Sequence, residues 1–574
     1  MSIRCFAPLV FLMVLLPAVL AHERFVTADE AAQWYKRSQA FERALEAGRL
    51  EDTWQSGHPG VTTMWASLLG RAAWETAGGE PTPTDPETRH AHRGAQRFVV
   101  SALCAAALAA SAVLLLPTLG APTAALAAAF WAFDPFLGAH ARILHVDALA
   151  ACFFMLALCA AASARPRPVL AGVATALSTL SKLTGAMAVP LVLALWLVRT
   201  RSAAPQGDAP VSAPSRLRTV GLYLVAGLVT VLLVCPAFVV SPTTVFTGLH
   251  QGMSLGAAAH EYGNFFWGEP IKDPGRWFYP VAVLYRLTPI TTIGLLLSLG
   301  ALRTGPRLLR FAWLASLLVL IVLGEHDKKF DRYALLVFPL LDLVAAVGWM
   351  RVLEGLTEGR GRRIGRLGRG VGLATLGACA LFITAREHPY QLAYFNPLLG
   401  GLETAQRKVL VGWGEGLEQV GDFLTARDPG CEKTISTVYP KSLEPFVCAR
   451  MVSKGNAKKA DYVVDYVNEV QRHPENRLLR DLKRQKPLFV ARHDGVALAW
   501  VYSRAQVRAA SRPRAAAPPP ARDRRRAGLR YTPAWVPTSA TASAKASASL
   551  PGALPPACAK SGRPPPLPST RSAR

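Results

Sequence analysis

The chain alternates long, uninterrupted apolar runs with short polar stretches. The runs carry neither the 3.6-residue stripe of a half-buried helix nor the alternation of a half-buried strand. Runs of this kind need lipid around them. They predict eleven membrane-spanning helices, at about 3–20, 97–117, 121–139, 146–163, 168–181, 184–198, 219–240, 281–301, 311–324, 332–350 and 370–385. Several are shorter than the usual span of about 20 residues. The stretch 168–198, interrupted by Ser181-Lys182-Leu183-Thr184, therefore reads equally as one broken or tilted segment.

Past residue 385 the pattern changes. Ile435-Ser436-Thr437-Val438-Tyr439, Tyr462-Val463-Val464-Asp465-Tyr466-Val467 and Leu498-Ala499-Trp500-Val501-Tyr502 read as short strands, with helices at 415–426 and 474–485. This predicts a small α/β domain over 386–512, behind a transmembrane domain over 1–385 whose first polar loop is 21–96. Residues 513–574 are rich in Pro, Ala, Ser and Arg and poor in large apolar side chains, so they are expected to be disordered.

Charge sets an orientation. With the amino terminus cytoplasmic, the inner loops 117–121, 164–167, 199–218, 302–310 and 351–369 hold fifteen Arg against Asp208, Glu354 and Glu358, the excess the positive-inside rule expects. The first loop and the α/β domain then lie outside, in the arrangement of a plasma (inner) membrane protein. Most of the net charge of +26 sits in those loops and the tail, which leaves no concentrated basic face and excludes nucleic acid as a partner. Residues 1–21, with Arg4, a short apolar core and Val19-Leu20-Ala21, also read as a cleavable signal; cleavage would leave Asp29 on the same side.

Six of the nine cysteines fall in predicted spans as small apolar residues. Cys431 and Cys448 lie in the outer domain, at a spacing compatible with a disulfide that would stabilise it by about 3 kcal/mol; two free thiols are the alternative.

The candidate chemistry gathers in the outer loops and at helix ends. Asp29-Glu30 follows the first span, either as a catalytic carboxylate pair or as solvated charges opening a helix over 28–47. His58, beside Pro59-Gly60, fits a turn-capping or packing role better than a metal ligand. Asp147 enters an apolar segment, where an ionisable group is costly. It serves either a structural bridge to Arg142 or His145, or function. Lys182 either snorkels to the interface or binds phosphate. The cluster Glu325–Arg332, with Lys328, Lys329 and Arg332, either neutralises itself or binds a lipid phosphate. The aromatic-rich loop 241–280 suits sugar or interfacial lipid alike. No ligand set of convincing spacing appears, so no cofactor is assigned and a divalent metal stays open.

In order along the chain, these segments resemble the polytopic glycosyltransferases of the dolichyl-phosphate-mannose protein mannosyltransferase and aminoarabinose transferase superfamily, the GT-C fold or family 39. The resemblance covers roughly residues 20–420 and is carried by Asp29-Glu30, Gly57-His58-Pro59-Gly60-Val61-Thr62-Thr63-Met64-Trp65, Ala141-Arg142-Ile143-Leu144-His145-Val146-Asp147, Leu180-Ser181-Lys182-Leu183-Thr184-Gly185, Lys328-Lys329-Phe330-Asp331-Arg332-Tyr333, Tyr394-Phe395-Asn396-Pro397 and Gly412-Trp413-Gly414-Glu415-Gly416.

The resemblance implies an inverting transfer of sugar from a polyprenyl-phosphate carrier to an acceptor outside the bilayer. Asp29 would be the general base with Glu30 as its neighbour, and His58, Arg142, His145, Asp147, Lys182, Lys328, Lys329, Arg332 and Tyr333 would contact substrate. Two other classes stand beside it. A flippase for lipid-linked sugars would also need many spans, but would show an internal repeat and midplane polar residues. A non-catalytic envelope assembly protein would use the outer domain to bind a partner.

Overall fold

The computed structural model describes residues 3–20, 24–83, 85–201, 213–257, 262–359 and 361–511. The expected disordered tail 513–574, the cleavage point at Ala21, most of the basic loop 199–218 and His260-Glu261 of the aromatic loop lie outside the described residues.

The apolar runs form helices. The first is α1 (Ile3–Val19), which packs along the much longer α4 (Pro86–Ala132). Asp85 caps α4 by accepting the Thr88 N–H at 2.9 Å. The segments expected as separate spans 97–117 and 121–139 meet inside α4, which breaks at Gly120 (φ 77°) between Pro117 and Pro122. Glycine supplies the positive φ, and the prolines withdraw the N–H groups that would carry the helix through. The second run ends at Ala132, and Asp134 starts a separate short helix, α5 (Pro135–Ala141). Its successor α6 (Asp147–Ala162) is apolar all round and buried almost throughout, as a helix enclosed by other helices must be. α7 (Pro168–Ser181) is separated from the next helix by extended backbone at Lys182 and a 3₁₀ turn over Leu183–Met187, which makes 168–198 two helices around a break.

The chain is an integral membrane protein. Among the described residues, five helices are long and apolar enough to cross a bilayer: Glu87–Ala132, Arg216–Val234, Arg307–Gly324, Asp331–Thr357 and Arg363–Arg386. The expected span 281–301 is a pair, Phe278–Arg286 and Pro289–Gly300, bent by 118°. Other apolar helices are shorter: Ile3–Val19, Asp147–Ala162, Pro168–Ser181 and Leu183–Leu197. Leu224, Val225, Leu228, Leu367, Val371 and Phe382 stand exposed on two of the long helices, an apolar surface that lipid would cover.

Between α1 and α4 the polar loop folds into a π-helical turn (Glu30–Trp34), α2 (Tyr35–Glu46) and α3 (Val61–Thr76). Phe41 of α2 is fully buried in a cluster with Val61 and Met64 of α3. A hairpin of β1 (Asn264–Phe266) and β2 (Glu269–Ile271) lies in the aromatic loop.

The C-terminal segment carries a five-stranded sheet, order β4-β3-β5-β7-β6. Its strands are β3 (Thr434–Thr437), β4 (Arg450–Val452), β5 (Tyr462–Tyr466), β6 (Phe489–His493) and β7 (Val496–Ser503). β4, β3 and β5 are parallel, while β7 runs antiparallel to both β5 and β6. The expected helix 415–426 is present as Leu417–Arg427; the one expected at 474–485 is confined to Arg477–Leu482, capped by Asn476. Cys431 and Cys448 are joined by a disulfide. All described residues belong to one compact unit, so the sheet packs onto the helical part.

Candidate active site

Three helix breaks bring charge to one place. α6 begins at Asp147, α7 ends one residue before Lys182, and a 3₁₀ turn over Asp331–Val337 precedes the helix Phe338–Thr357. Asp147 sits between Lys182 and His145, with Lys182 Nζ at 2.5 Å and His145 Nδ1 at 3.0 Å; Arg332 Nε is at 3.7 Å. Asp29, at the start of the first polar loop, joins from the other side. Its Oδ2 accepts from Arg332 Nη2 at 3.1 Å and lies 3.6 Å from His145 Nε2. Aromatic rings enclose the group: Lys182 Nζ lies 3.8 Å from the centre of the Tyr333 ring, the Arg332 guanidinium 4.6 Å from that of Trp413, and the His145 and Trp413 rings meet edge to face at 5.0 Å. Each contact is of the cation–π or edge-on type that fixes a charged group's direction.

The two residues of the acidic pair have different surroundings. Glu30 is completely buried. Arg97 grips it in a two-pronged pair, Nε to Oε1 and Nη2 to Oε2, both at 2.9 Å. The Leu144 N–H donates to Oε1 at 2.7 Å, and Thr27 donates to Oε2 from its N–H and hydroxyl at 3.0 and 2.9 Å. Asp29, with 30% of its side chain exposed, faces a cavity of about 580 Å³. Burial by itself would raise the Asp29 pKa, but Arg332 and His145 outweigh it and hold the carboxyl well below the usual range. Burial alone would likewise lower His145; Asp147 and Asp29 reverse this and raise it.

Several cations act on His58. Burial, then Lys182, Lys328 and Arg37, push the His58 pKa down to about 4, so its imidazole is neutral amid three positive charges. Lys328 is half-buried and within electrostatic reach of both Arg332 and Asp29. Among the described residues it has no carboxylate partner. The loop that carries His58 is fastened by the Gly60 N–H donating to the Ser181 carbonyl at 3.1 Å and by Ser56 Oγ donating to the His58 carbonyl at 2.6 Å.

Arg142 and Lys329, expected among the substrate contacts, are engaged elsewhere. Arg142 Nη2 donates to the Pro389 carbonyl and its guanidinium lies over the Phe25 ring, while Lys329 Nζ pairs with Asp273 at 2.7 Å. Sequence reasoning missed Arg37, Arg97, His140 and Arg286. The last had a readable signal, an ionisable residue inside an apolar run. Arg286 pairs with Asp331 at 2.6 Å and donates to the carbonyls of Leu392 and Tyr394, forming part of the cavity wall. Among the described residues no group of three or more His, Cys, Asp or Glu side chains could hold a metal ion.

No family model and no curated protein sequence matches the chain. Among solved structures it is similar to ArnT from Cupriavidus metallidurans bound to undecaprenyl phosphate, at 14% identity over 89% of this chain and 99% of that one, with a TM-score of 0.47. The apo state of the same protein gives 12% identity over 88% and 98%, TM-score 0.48. The Archaeoglobus fulgidus oligosaccharyltransferase, crystallised with Zn and sulfate, gives 14% over 81% and 68%, TM-score 0.36.

Proposed function

We propose that this chain is an inverting glycosyltransferase that moves a sugar from a polyprenyl-phosphate carrier to an acceptor hydroxyl on the outer face of the membrane, with Asp29 as general base. The observation that carries the reading is the position of Asp29: a carboxylate held ionised by Arg332 and His145 that faces an open cavity, with Lys328, which has no carboxylate partner among the described residues, within electrostatic reach. In this reading residues 1–385 are the catalytic membrane part, the amino terminus is cytoplasmic, and 386–512 lie outside.

The chemistry follows from that position. The acceptor oxygen attacks carbon one of the donor sugar from the cavity side, and the bond from carbon one to the phosphate oxygen breaks as the new bond forms. The lipid phosphate departs with the bonding electrons, towards Lys328, Arg37 and the Asp147-paired Lys182, whose positive charge stabilises it. Asp29 takes the acceptor proton. The neighbours that keep Asp29 ionised also weaken it as a base, so proton transfer is late, after bonding to carbon one has made the acceptor oxygen acidic. Glu30 has no free lone pair towards the cavity; it fixes the backbone beneath Asp29. The exposed apolar helix faces give an isoprenoid chain a place to lie in lipid. A flippase would collect its polar groups near the bilayer centre, whereas Asp29, Asp147, Lys182 and Arg332 meet at helix ends.

Native mass spectrometry of gently purified wild-type and Asp29→Asn proteins tests this. The expected result is a polyprenyl-phosphate sugar retained on both and more abundant on the variant. Ordinary phospholipids on both with no glycolipid on either would overturn the assignment and put a transporter or assembly role ahead of it.

A further inference from the structure

The sheet of the C-terminal segment has a topological switch point, and it opens onto the cavity. β3 and β5 are adjacent and parallel. The chain leaving β3 turns to β4 on one side, while the chain leaving β5 runs to the β6–β7 pair on the other. In an open α/β sheet a crevice forms beyond the carboxyl ends of two such strands, because their connections diverge, and ligands bind there. The residues that follow β3 (Val438–Ser442) and β5 (Asn468, Glu469, Arg472) line the same 580 Å³ cavity as Asp29.

The crevice presents hydrogen-bonding groups without partners. Ser442 is 1% exposed, and its Oγ has no hydrogen-bond partner; nor has the buried Nε of Arg472. Asn468 donates to the Tyr439 hydroxyl, which fixes the ring beside them. Buried polar atoms left unpaired cost stability unless a ligand satisfies them. The cavity as a whole is lined by four basic side chains (Arg286, Arg332, Lys441, Arg472) and four acidic ones (Asp29, Asp331, Glu415, Glu469), so it selects for no strong ligand charge.

We infer that the β3–β5 crevice is the acceptor subsite and that it takes the hydroxyl-rich face of a glycan, held by Ser442, Asn468 and Arg472 beside the Tyr439 ring. This rests on the transferase reading and adds the class of acceptor. A peptide acceptor could not be held here by adding a strand, a common mode of peptide recognition, because β3 and β5 are interior strands with both edges paired. What they offer beyond their ends is side-chain hydroxyl, amide and guanidinium groups around an aromatic face, which is sugar-binding chemistry.

The test uses the full chain in nanodiscs on two printed arrays, one of mono- and oligosaccharides and one of Ser- and Thr-containing peptides. The wild type should bind glycans. Ser442→Ala, Asn468→Ala and Arg472→Met should each weaken that binding by roughly tenfold, at an unchanged melting temperature. Binding to peptides in preference to glycans, glycan binding indifferent to all three crevice variants, or binding to neither array would each overturn the inference. Native mass spectrometry separates its failure from that of the parent reading. A retained donor lipid with an indifferent crevice sinks only the acceptor subsite; crevice-dependent glycan binding with no donor lipid leaves a glycan-binding site and removes the transferase.

Discussion

Asp29 and Glu30 are neighbours in sequence and opposites in environment, and the difference gives a sharp experiment. Asp29→Asn should lower transfer by about 10²- to 10⁴-fold, the usual worth of a positioned base, with a smaller loss of thermal stability than a break in the Glu30 pair, because Arg332 keeps Asp147 within 3.7 Å. Glu30→Gln should do the reverse per folded molecule. Losing one charge of a fully buried pair strands Arg97, 3% exposed, and costs about 3–5 kcal/mol. Melting curves and transfer assays normalised to folded protein separate the two, and equal activity losses at equal stability would refute the division of roles. The dipeptide was legible as a candidate, but which carboxylate faces the cavity was not, because Arg97 and the Leu144 N–H decide it from 67 and 114 residues away. A second prediction at this scale concerns pH. Burial pushes the Glu418 carboxyl up to about 7 from 4.5, against the opposing hydrogen bond from Tyr390. A raised carboxyl favours the protonated fold, so its contribution is complete below about pH 4.5 and is lost as pH rises through 7, a change on the order of 3 kcal/mol. Melting temperature should therefore fall between pH 5 and pH 8 in wild type, and Glu418→Gln should flatten that slope.

Among the elements, apolar blocks were readable, and so were two of their interruptions, while the bend inside 281–301 was not. The expected break in 168–198 fell where Ser181-Lys182 suggested it, since a charge between two apolar runs marks a helix end. The kink inside α4, at Gly120 between Pro117 and Pro122, falls at the expected boundary of the spans 97–117 and 121–139. The stretch 281–301 was expected as one span, and it bends by 118° where Leu287 and Thr288 are extended ahead of Pro289. β4 spans three residues and β6 places Arg492 and His493 in its last turn of alternation, so both fell below a periodicity signal. Gly57-His58-Pro59-Gly60 was legible as a turn, but its reason lies in tertiary contacts. Gly60 has φ +59°, and a Cβ there would come 2.2 Å from the Trp34 ring; a Cβ on Gly57 would come 2.6 Å from Gly252 Cα. Gly60→Ala combines backbone strain with a clash and should destabilise by roughly 1–3 kcal/mol. It should also cut transfer more than stability loss explains, because the same loop keeps His58 within electrostatic reach of Lys182. A variant that melts lower yet transfers normally per folded molecule would detach the loop from the site.

The whole molecule joins a lipid-embedded helical part to a mixed sheet over one cavity. The Asp29 loop, the helix ends with Lys182 and Arg332, and the crevice of the sheet must therefore lie on one side of the bilayer. The orientation is expected from loop arginines alone; that the α/β segment walls the cavity could not be read, since no local pattern says which end of a sheet faces a distant loop. The geometry makes the orientation all-or-none. Single cysteines placed at Lys486, in the C-terminal segment, and at Arg303, in an Arg-rich loop, should respond oppositely to a membrane-impermeant thiol reagent in bacterial spheroplasts. Lys486→Cys should label in intact spheroplasts and Arg303→Cys only after permeabilisation. The Cys431–Cys448 disulfide fits the same side, because such bonds persist in oxidising compartments. If Arg303→Cys labelled first, Asp29 would face the cytoplasm. The acceptor would then be a cytoplasmic molecule, the disulfide would stand in a reducing compartment, and the charge rule that oriented the helices would have failed together with the proposed direction of transfer.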